Sequence, residues 1–318
     1  IFIPDGEAIC VWAGPSMTPE QSVQYLQGLE VPRMIALADF QQSIRDFIRS
    51  VLARLDAKGL AGSDLASLWT LVQEDLADAN ATRRRKLEAE LGFDPEECPE
   101  QVLDAALRWE SQVGDTALSE LAPAIAASGA SPDLALIGHL ASSGGIVGAP
   151  EISHDSINHL DHGAPWERAI HDARALRRKL GNVSNPVSNN CLYDLLGISR
   201  ADAANWSVPT GRSPVAVAIP VSNRELRFVP RKRNPSGQRF ELARFLGEYL
   251  RPSTCEARWL ASTDLSTSRQ KYQRAFAAEF LCPIDSLTFF LDGDFSSYAI
   301  EEAATEFNVS EKTIESLL

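Results

Sequence analysis

Three groups of residues in this 318-residue chain have the types and spacing to do chemistry. The first is a charge pair, Arg244 and Glu248, in the string RFELARFLGEYL (239–250). Four residues apart on a helix, they place a cation and an anion one turn apart on a shared face. The second is the basic stretch Arg224–Arg239, where Arg231, Lys232, Arg233 and Arg239 offer a local patch to an acidic partner or a phosphate. The third is the cluster His154, Asp155, His159, Asp161 and His162, whose imidazoles and carboxylates suit a divalent metal. Such clusters are more often polar connecting sequence, so metal binding at His154, His159 and His162 is the weaker reading.

Other chemistries lack their residues. There is no GxSxG elbow, and no glycine run of the GxxxxGK or GxGxxG kind that cradles phosphate. The cysteines Cys10, Cys98, Cys191, Cys255 and Cys282 are scattered, odd in number and form no CxxC pair. Neither a disulfide frame nor a zinc knuckle is indicated, which fits a reducing compartment. Cys282, beside Pro283, is read as a packed thiol, and His139 and His171 as packing or surface residues of helices.

The elements that must position these residues can be read from periodicity. Residues 1–35 show a strand-like GEAICVW (6–12) and then polar, Pro-containing sequence. From Ala36, Phe40, Ile44, Phe47, Ile48, Val51 and Leu52 form an apolar stripe at helical spacing, and further helices are expected at 63–78, 80–91, 99–113, 115–128 and 132–142. Residues 1–143 thus form an expected helical N-terminal domain, with a possible docking or dimerisation role for helices such as RRRKLEAELGFDP (83–95). The stretch 144–164, rich in Gly and small polar residues, is the expected linker. A second domain, 165–318, is expected to be α+β. Its helix from Pro165 ends in Arg177–Lys179, and a short helix at 188–196 stops at Gly197. The strands 214–221 and 225–230 form a hairpin, followed by helices at 237–250 and 266–281 and a final pair within 297–318.

The order strand, basic loop, QRFELARFLGEYL (238–250), RQKYQRAFAAEFLCP (269–283), then IEEAA and FNVS before Ile314 resembles the ImmA/IrrE family of metallopeptidase-like proteins. The resemblance covers about 160–318 and is strongest at 238–250 and 269–318. It implies a small zincin-like fold, a short sheet with packed helices. In that family RF-x-x-A-HExxH-x-x-L opens the site helix, and E-x-x-A-N/D-x-FA-x-x-LL-x-P supplies the third zinc ligand. HExxH histidines four apart bind zinc from one helix face, and the intervening Glu activates the bound water. Here the first His position is Arg244, the Glu position Phe245, the second His position Glu248 and the third-ligand position Gln270. A guanidinium carries a fixed charge and a benzyl ring moves no proton, so the family's zinc site cannot be assembled.

Three uses of the altered cleft remain open. Arg244, Glu248 and Gln270 can satisfy one another as a polar plug. Arg244, Arg274 and Lys271 can read a peptide or a phosphate. Oxygens of Glu241 or Glu248 can hold a different metal. The terminal stretch Ala303–Leu318 has a helix-turn-helix rhythm, but Glu311 and Glu315 on its second helix are unfavourable beside phosphates, so the pair is read as a structural closure.

The net charge of −13 argues against a general nucleic-acid coat. No apolar run approaches the roughly 20 residues that span a bilayer, and no basic-then-apolar leader is visible, so a cytoplasmic protein without a membrane partner is expected. The expectation is an inactive, cofactor-free peptidase-like protein that binds a protein or peptide. The resemblance implies a setting in stress response, mobile-element regulation or phage defence. The alternatives are a metal-dependent hydrolase with a relocated site and a DNA-binding regulator acting through Arg231, Lys232 and Arg233.

Overall fold

The run PVAVAIP (214–220) alternates nothing: every residue of its strand core is apolar, as expected of a strand covered on both faces. The computed structural model bears this out, and describes residues 2–4, 8–14, 31–129, 132–160, 163–208, 213–251 and 258–318, with the backbone alone at His154. Asp161, His162 and Cys255 lie outside the described residues. The fold is mixed α+β and mostly helical, with one three-stranded and one four-stranded antiparallel sheet among the described residues. No helix among them is long and apolar enough to cross a membrane.

Contacts divide the chain into Ile1–Arg85 and Lys86–Leu318. The first unit holds β1 (Phe2–Pro4), β2 (Ala8–Val11) and β3 (Arg33–Ala36), ordered β1-β2-β3, then α1 (Leu37–Asp56), α2 (Asp64–Ala77) and the start of α3 (Ala79–Glu90). Neither α1 nor α2 contains a buried residue; the apolar stripe is present, but Phe47, Leu68 and Leu71 stay exposed.

The second unit continues with α4 (Glu100–Val113), α5 (Asp115–Ala126), α6 (Ala135–Ser142), β4 (Ile146–Gly148), α7 (Pro165–Lys179), α8 (Asn189–Leu196), α9 (Arg200–Asn205), β5 (Val215–Pro220) and β6 (Leu226–Val229). It closes with α10 (Pro235–Tyr249), β7 (Leu260–Thr263), α11 (Ser268–Leu281), α12 (Ile284–Leu291), α13 (Ser297–Phe307) and α14 (Glu311–Glu315). The sheet order is β4-β6-β5-β7, with Ala218 opposite Phe228 and Val217 opposite Ala261. Period-two alternation sorts β5 between two cores. Ala216 and Ala218 face Phe228, Phe245, Phe276 and Phe280, while Val215, Val217 and Ile219 face Leu103, Leu118, Leu121 and Ile137.

The compact units therefore break between Arg85 and Lys86, whereas the composition places a linker at 144–164. Helices α4 to α6 cover the second face of the sheet, so the segment from Leu87 to Leu140 belongs to the same body as the hairpin. The glycines of 144–148 mark close packing. A Cβ on Gly148 would lie 2.4 Å from the Leu196 carbonyl oxygen, and one on Gly197, already at φ +61°, would lie 1.9 Å from that of Ala149. Only a hydrogen fits where these backbones meet.

Candidate functional site

Helix α10 starts where Asn234 accepts a hydrogen bond from the Ser236 amide at 2.9 Å and Pro235 fixes the first turn. It is buried from Glu241 to Glu248 and carries Arg239, Glu241, Arg244 and Glu248 inside. Helix α11 is capped by Thr267, which accepts from the Gln270 amide. The two helices meet closely at Gly247, where a Cβ would lie 2.5 Å from the Phe276 ring. A buried charge is expensive unless it is hydrogen-bonded, so the partners of these four residues define the site.

Arg244 is 3% exposed. Its Nη2 donates to the Thr263 carbonyl at 2.7 Å and to Gln270 Oε1 at 2.5 Å. The Gln270 Oε1 also accepts from the Thr263 amide at 2.8 Å, and its Nε2 donates to the Ala261 carbonyl at 3.1 Å. Gln273 Nε2 donates to that same carbonyl at 2.9 Å. Among the described residues strand β7 is the sheet edge, pairing with β5 alone. Its Ala261 carbonyl and its Thr263 amide and carbonyl are thus taken by side chains, the Gln270 carboxamide accepting and donating as a further strand would. The edge is closed to strand addition there. Burial, and then the nearby Arg274 and Arg231, push the Arg244 pKa down to about 10, far enough above neutrality to keep the charge.

Arg244 and Glu248 do not pair with each other, contrary to the expectation from their spacing. The Glu248 carboxylate, wholly buried, turns to α11, where it accepts from Arg269 Nη1 and from Gln273 Nε2 at 3.1 Å. Arg251 Nη1 lies 3.7 Å from it and stacks its guanidinium over the Tyr272 ring. Phe245 is fully buried against Phe228, at 5.8 Å between ring centres. Arg274 donates to the Leu265 carbonyl at 2.9 Å, while Lys271 reaches the face of Trp166. Of the expected trio, Arg274 lies near Arg244, whose pKa it lowers, while Lys271 meets Trp166.

The basic patch divides too. Arg231 is tied to Glu241 at 2.8 Å, to Asp264 and to the Pro214 carbonyl, and Glu241 also accepts from the backbone amides of Arg231 and Lys232. Burial opposes the Arg231 charge, but its bonds to Asp264 and Glu241 outweigh it and raise the pKa. Glu241 is consumed in this tie. Arg239 is buried, donating to Asn189 at 2.6 Å and to the Val187 carbonyl, and burial lowers its pKa to about 10. Lys232 and Arg233 alone of the four are exposed, on a cleft of about 630 Å³ that Ser128, Ser213 and Asp264 also line.

The histidine cluster is only partly described. His159 Nδ1 lies 2.8 Å from Asp172 Oδ2, and His171 Nδ1 lies 3.2 Å from Oδ1. The Tyr272 hydroxyl donates to Asp172 Oδ2 at 2.5 Å. Asp172 is 2% exposed, and burial followed by its charge holds the Tyr272 pKa well above the ordinary phenol value. Asp155 is exposed. Among the described residues no three His, Cys, Asp or Glu side chains are grouped as metal ligands.

Several participants escape the sequence reading. Glu120 of α5 is 5% exposed and accepts from the Thr267 hydroxyl at 2.8 and 2.9 Å, so a helix more than a hundred residues upstream supports the cap of α11. Burial raises the Glu120 pKa against hydrogen bonds from Thr267 and Gln270 and the charges of Arg269 and Arg251. Only Gln273 left a trace in sequence, lying one turn from Gln270 on a shared helix face. Comparison of the chain with protein-family models, with curated proteins and with solved structures finds no match.

Proposed function

We propose that this chain is a metal-free relative of the ImmA/IrrE peptidases that binds a protein or peptide and does not cut it. One observation carries the reading: at the helix position where the family places its first zinc-binding histidine, the buried Arg244 guanidinium bridges Gln270 and the edge strand β7. A dication beside that fixed cation would meet like charge in a region of low dielectric, and Phe245 next to it offers no proton. Gln270, at the third-ligand position, holds the strand edge. The hairpin β5–β6, the helix α10, the helix α11 and the closing pair α13–α14 are the elements on which the resemblance rests, and β7 lies between α10 and α11 in addition. A role in stress response, mobile-element regulation or phage defence belongs to this same proposal.

The test uses the full chain, stripped with a chelator and returned to one equivalent of Zn²⁺. Substoichiometric retention, no cleavage of an unfolded protein substrate, and recovery of an intact partner by cross-linking in the native host are expected. Stoichiometric zinc, with hydrolysis abolished by chelator and by Glu248→Gln, would overturn the proposal.

A further inference from the structure

Between Arg274 and Lys312 the sequence holds no Lys, Arg or His, yet it holds the buried Glu279 and seven exposed acids, Asp285, Asp292, Asp294, Glu301, Glu302, Glu306 and Glu311. Within the same segment four aromatic residues face water: Phe289 is 88% exposed, Phe290 41%, Phe295 60% and Tyr298 68%. All four lie around the turn that joins α12 to α13. Helix α12 directs Leu287 and Leu291 into the core, which leaves Phe289 on the opposite side, and Phe290 leans edge-on against Phe307 of α13. At about 200 Å² per aromatic side chain, these exposures sum to roughly 500 Å² of ring surface. That is the upper end of what a soluble monomer leaves open.

The turn is held in a definite shape. Asp292 ends α12 in the left-handed region at φ 45°, and Asp294 accepts from the Ser296 amide at 2.8 Å. Ser296 in turn caps α13 through the Ala299 amide, and the Tyr298 hydroxyl donates to Glu302 at 2.8 Å. The backbone that carries the aromatics is thus held by these bonds. Of the exposed carboxylates, Asp285 lies 3.3 Å from Arg174, which also bonds the buried Glu279 at 2.6 Å; the others leave the rim acidic.

We infer that the α12–α13 turn is a docking surface for a cationic amphipathic segment of a partner protein, whose apolar side chains cover Phe289, Phe290, Phe295 and Tyr298 while its Lys and Arg meet the acidic rim. Complementary charge selects this occupant. Anionic membranes and nucleic acids would be repelled by the same carboxylates, and a second copy of the turn would bring like charges together. The inference rests on reading the chain as a binding protein, but it does not depend on how the α10–α11 interior is filled.

The experiment measures fluorescence anisotropy of a labelled Leu/Lys amphipathic helical peptide titrated with the full chain, beside a peptide with Glu in every Lys position. Binding of the Lys peptide that weakens with salt, absence of binding by the Glu peptide, and about tenfold weakening in Phe289→Ala/Phe295→Ala and in Glu301→Gln/Glu306→Gln are expected. All these substitutions are at exposed positions, and circular dichroism confirms that each variant keeps its helices. Equal binding of both peptides, or no binding, overturns the inference. So does a dimer in sedimentation, or binding to zwitterionic vesicles, that Phe289→Ala abolishes, because either names a different occupant. Zinc-dependent hydrolysis with this docking intact would remove the proposed function and leave the surface standing; loss of the docking with a partner still captured would do the reverse.

Discussion

Helices α10 and α12, one helix apart in the chain, treat polarity in opposite ways. Helix α10 buries Arg239, Glu241, Arg244 and Glu248, while α12 leaves Phe289 and Phe290 in water. At about 25 cal/mol for each Å² of apolar surface, the reverse arrangement would be favoured on transfer energy alone. The charges of α10 are tolerable because each is bonded within the fold: Arg244 to Gln270 and Thr263, Glu248 to Arg269 and Gln273, Glu241 to Arg231, and Arg239 to Asn189 and Val187. These bonds are directional, so they fix how α10, α11 and β7 register against one another, which apolar packing alone would do less sharply. The aromatics of α12 have no such closure. The interior is completed by the chain itself; the turn is what the proposed partner would complete.

The sharpest way to break this comparison is Glu248→Ala. It removes the buried carboxylate that accepts from Arg269 and Gln273 and lies 3.7 Å from Arg251, and breaking a buried ion pair from one side costs on the order of 3–5 kcal/mol. Urea denaturation should show the midpoint falling with an unchanged slope, and Glu248→Gln, which keeps an acceptor for Gln273, should lose less. If Glu248→Ala unfolds at the wild-type urea concentration, the carboxylate is not part of the closure and the contrast with α12 collapses.

A smaller effect should come from Glu120, whose pKa is raised mainly by burial. A raised acid is favoured in its protonated form by folding. Its stabilising contribution is therefore complete below the unfolded value near 4.5 and is lost as pH rises through the higher folded value. Glu120→Gln keeps an acceptor for the Thr267 hydroxyl without the ionisation. The variant should match wild type in acid and gain on it as pH rises from about 4.5. Chemical denaturation at a series of pH values checks this; a difference that is flat, or that grows toward acid, would contradict the burial argument.

The sequence made the α10 side of the comparison legible and left the α12 side dark, for a physical reason. Helical and strand periods locate α10, α11, the β5–β6 hairpin and the closing pair, because those elements pack against one core and carry its period. The charges at 244 and 248 stand out because they interrupt an apolar helix. Their partners do not, since Thr263 and Ala261 act through the backbone and Glu120 reaches Thr267 across the body of the unit. Strand β7, four residues long and flanked by undescribed residues 252–257, is too short for a period to show. The placement of α4 to α6 on the far face of the sheet was hidden for a similar reason: a glycine-rich stretch reads as a linker whether it separates bodies or lets two backbones touch at Gly148 and Gly197. The sequence shows no clear helical period of its own over α12 (Ile284–Leu291). The string DSLTFFLDGDF looks apolar enough to be core, and nothing in it says that Phe289 faces outward.

The smallest expected effect, that at Phe289, is also the most discriminating. Phe245 and Phe289 are the same residue type on two helices of one unit, fully buried and 88% exposed respectively. Phe245→Ala empties a site packed against Phe228 and should lose about 3–5 kcal/mol. Phe289→Ala touches almost nothing that folding buries, so its stability should stay within about 0.5 kcal/mol of wild type. Were Phe289 held for stability, truncating it would cost as core truncation does, and the denaturation midpoint would fall. A midpoint unmoved while binding of the cationic peptide drops means that the ring serves docking and not folding.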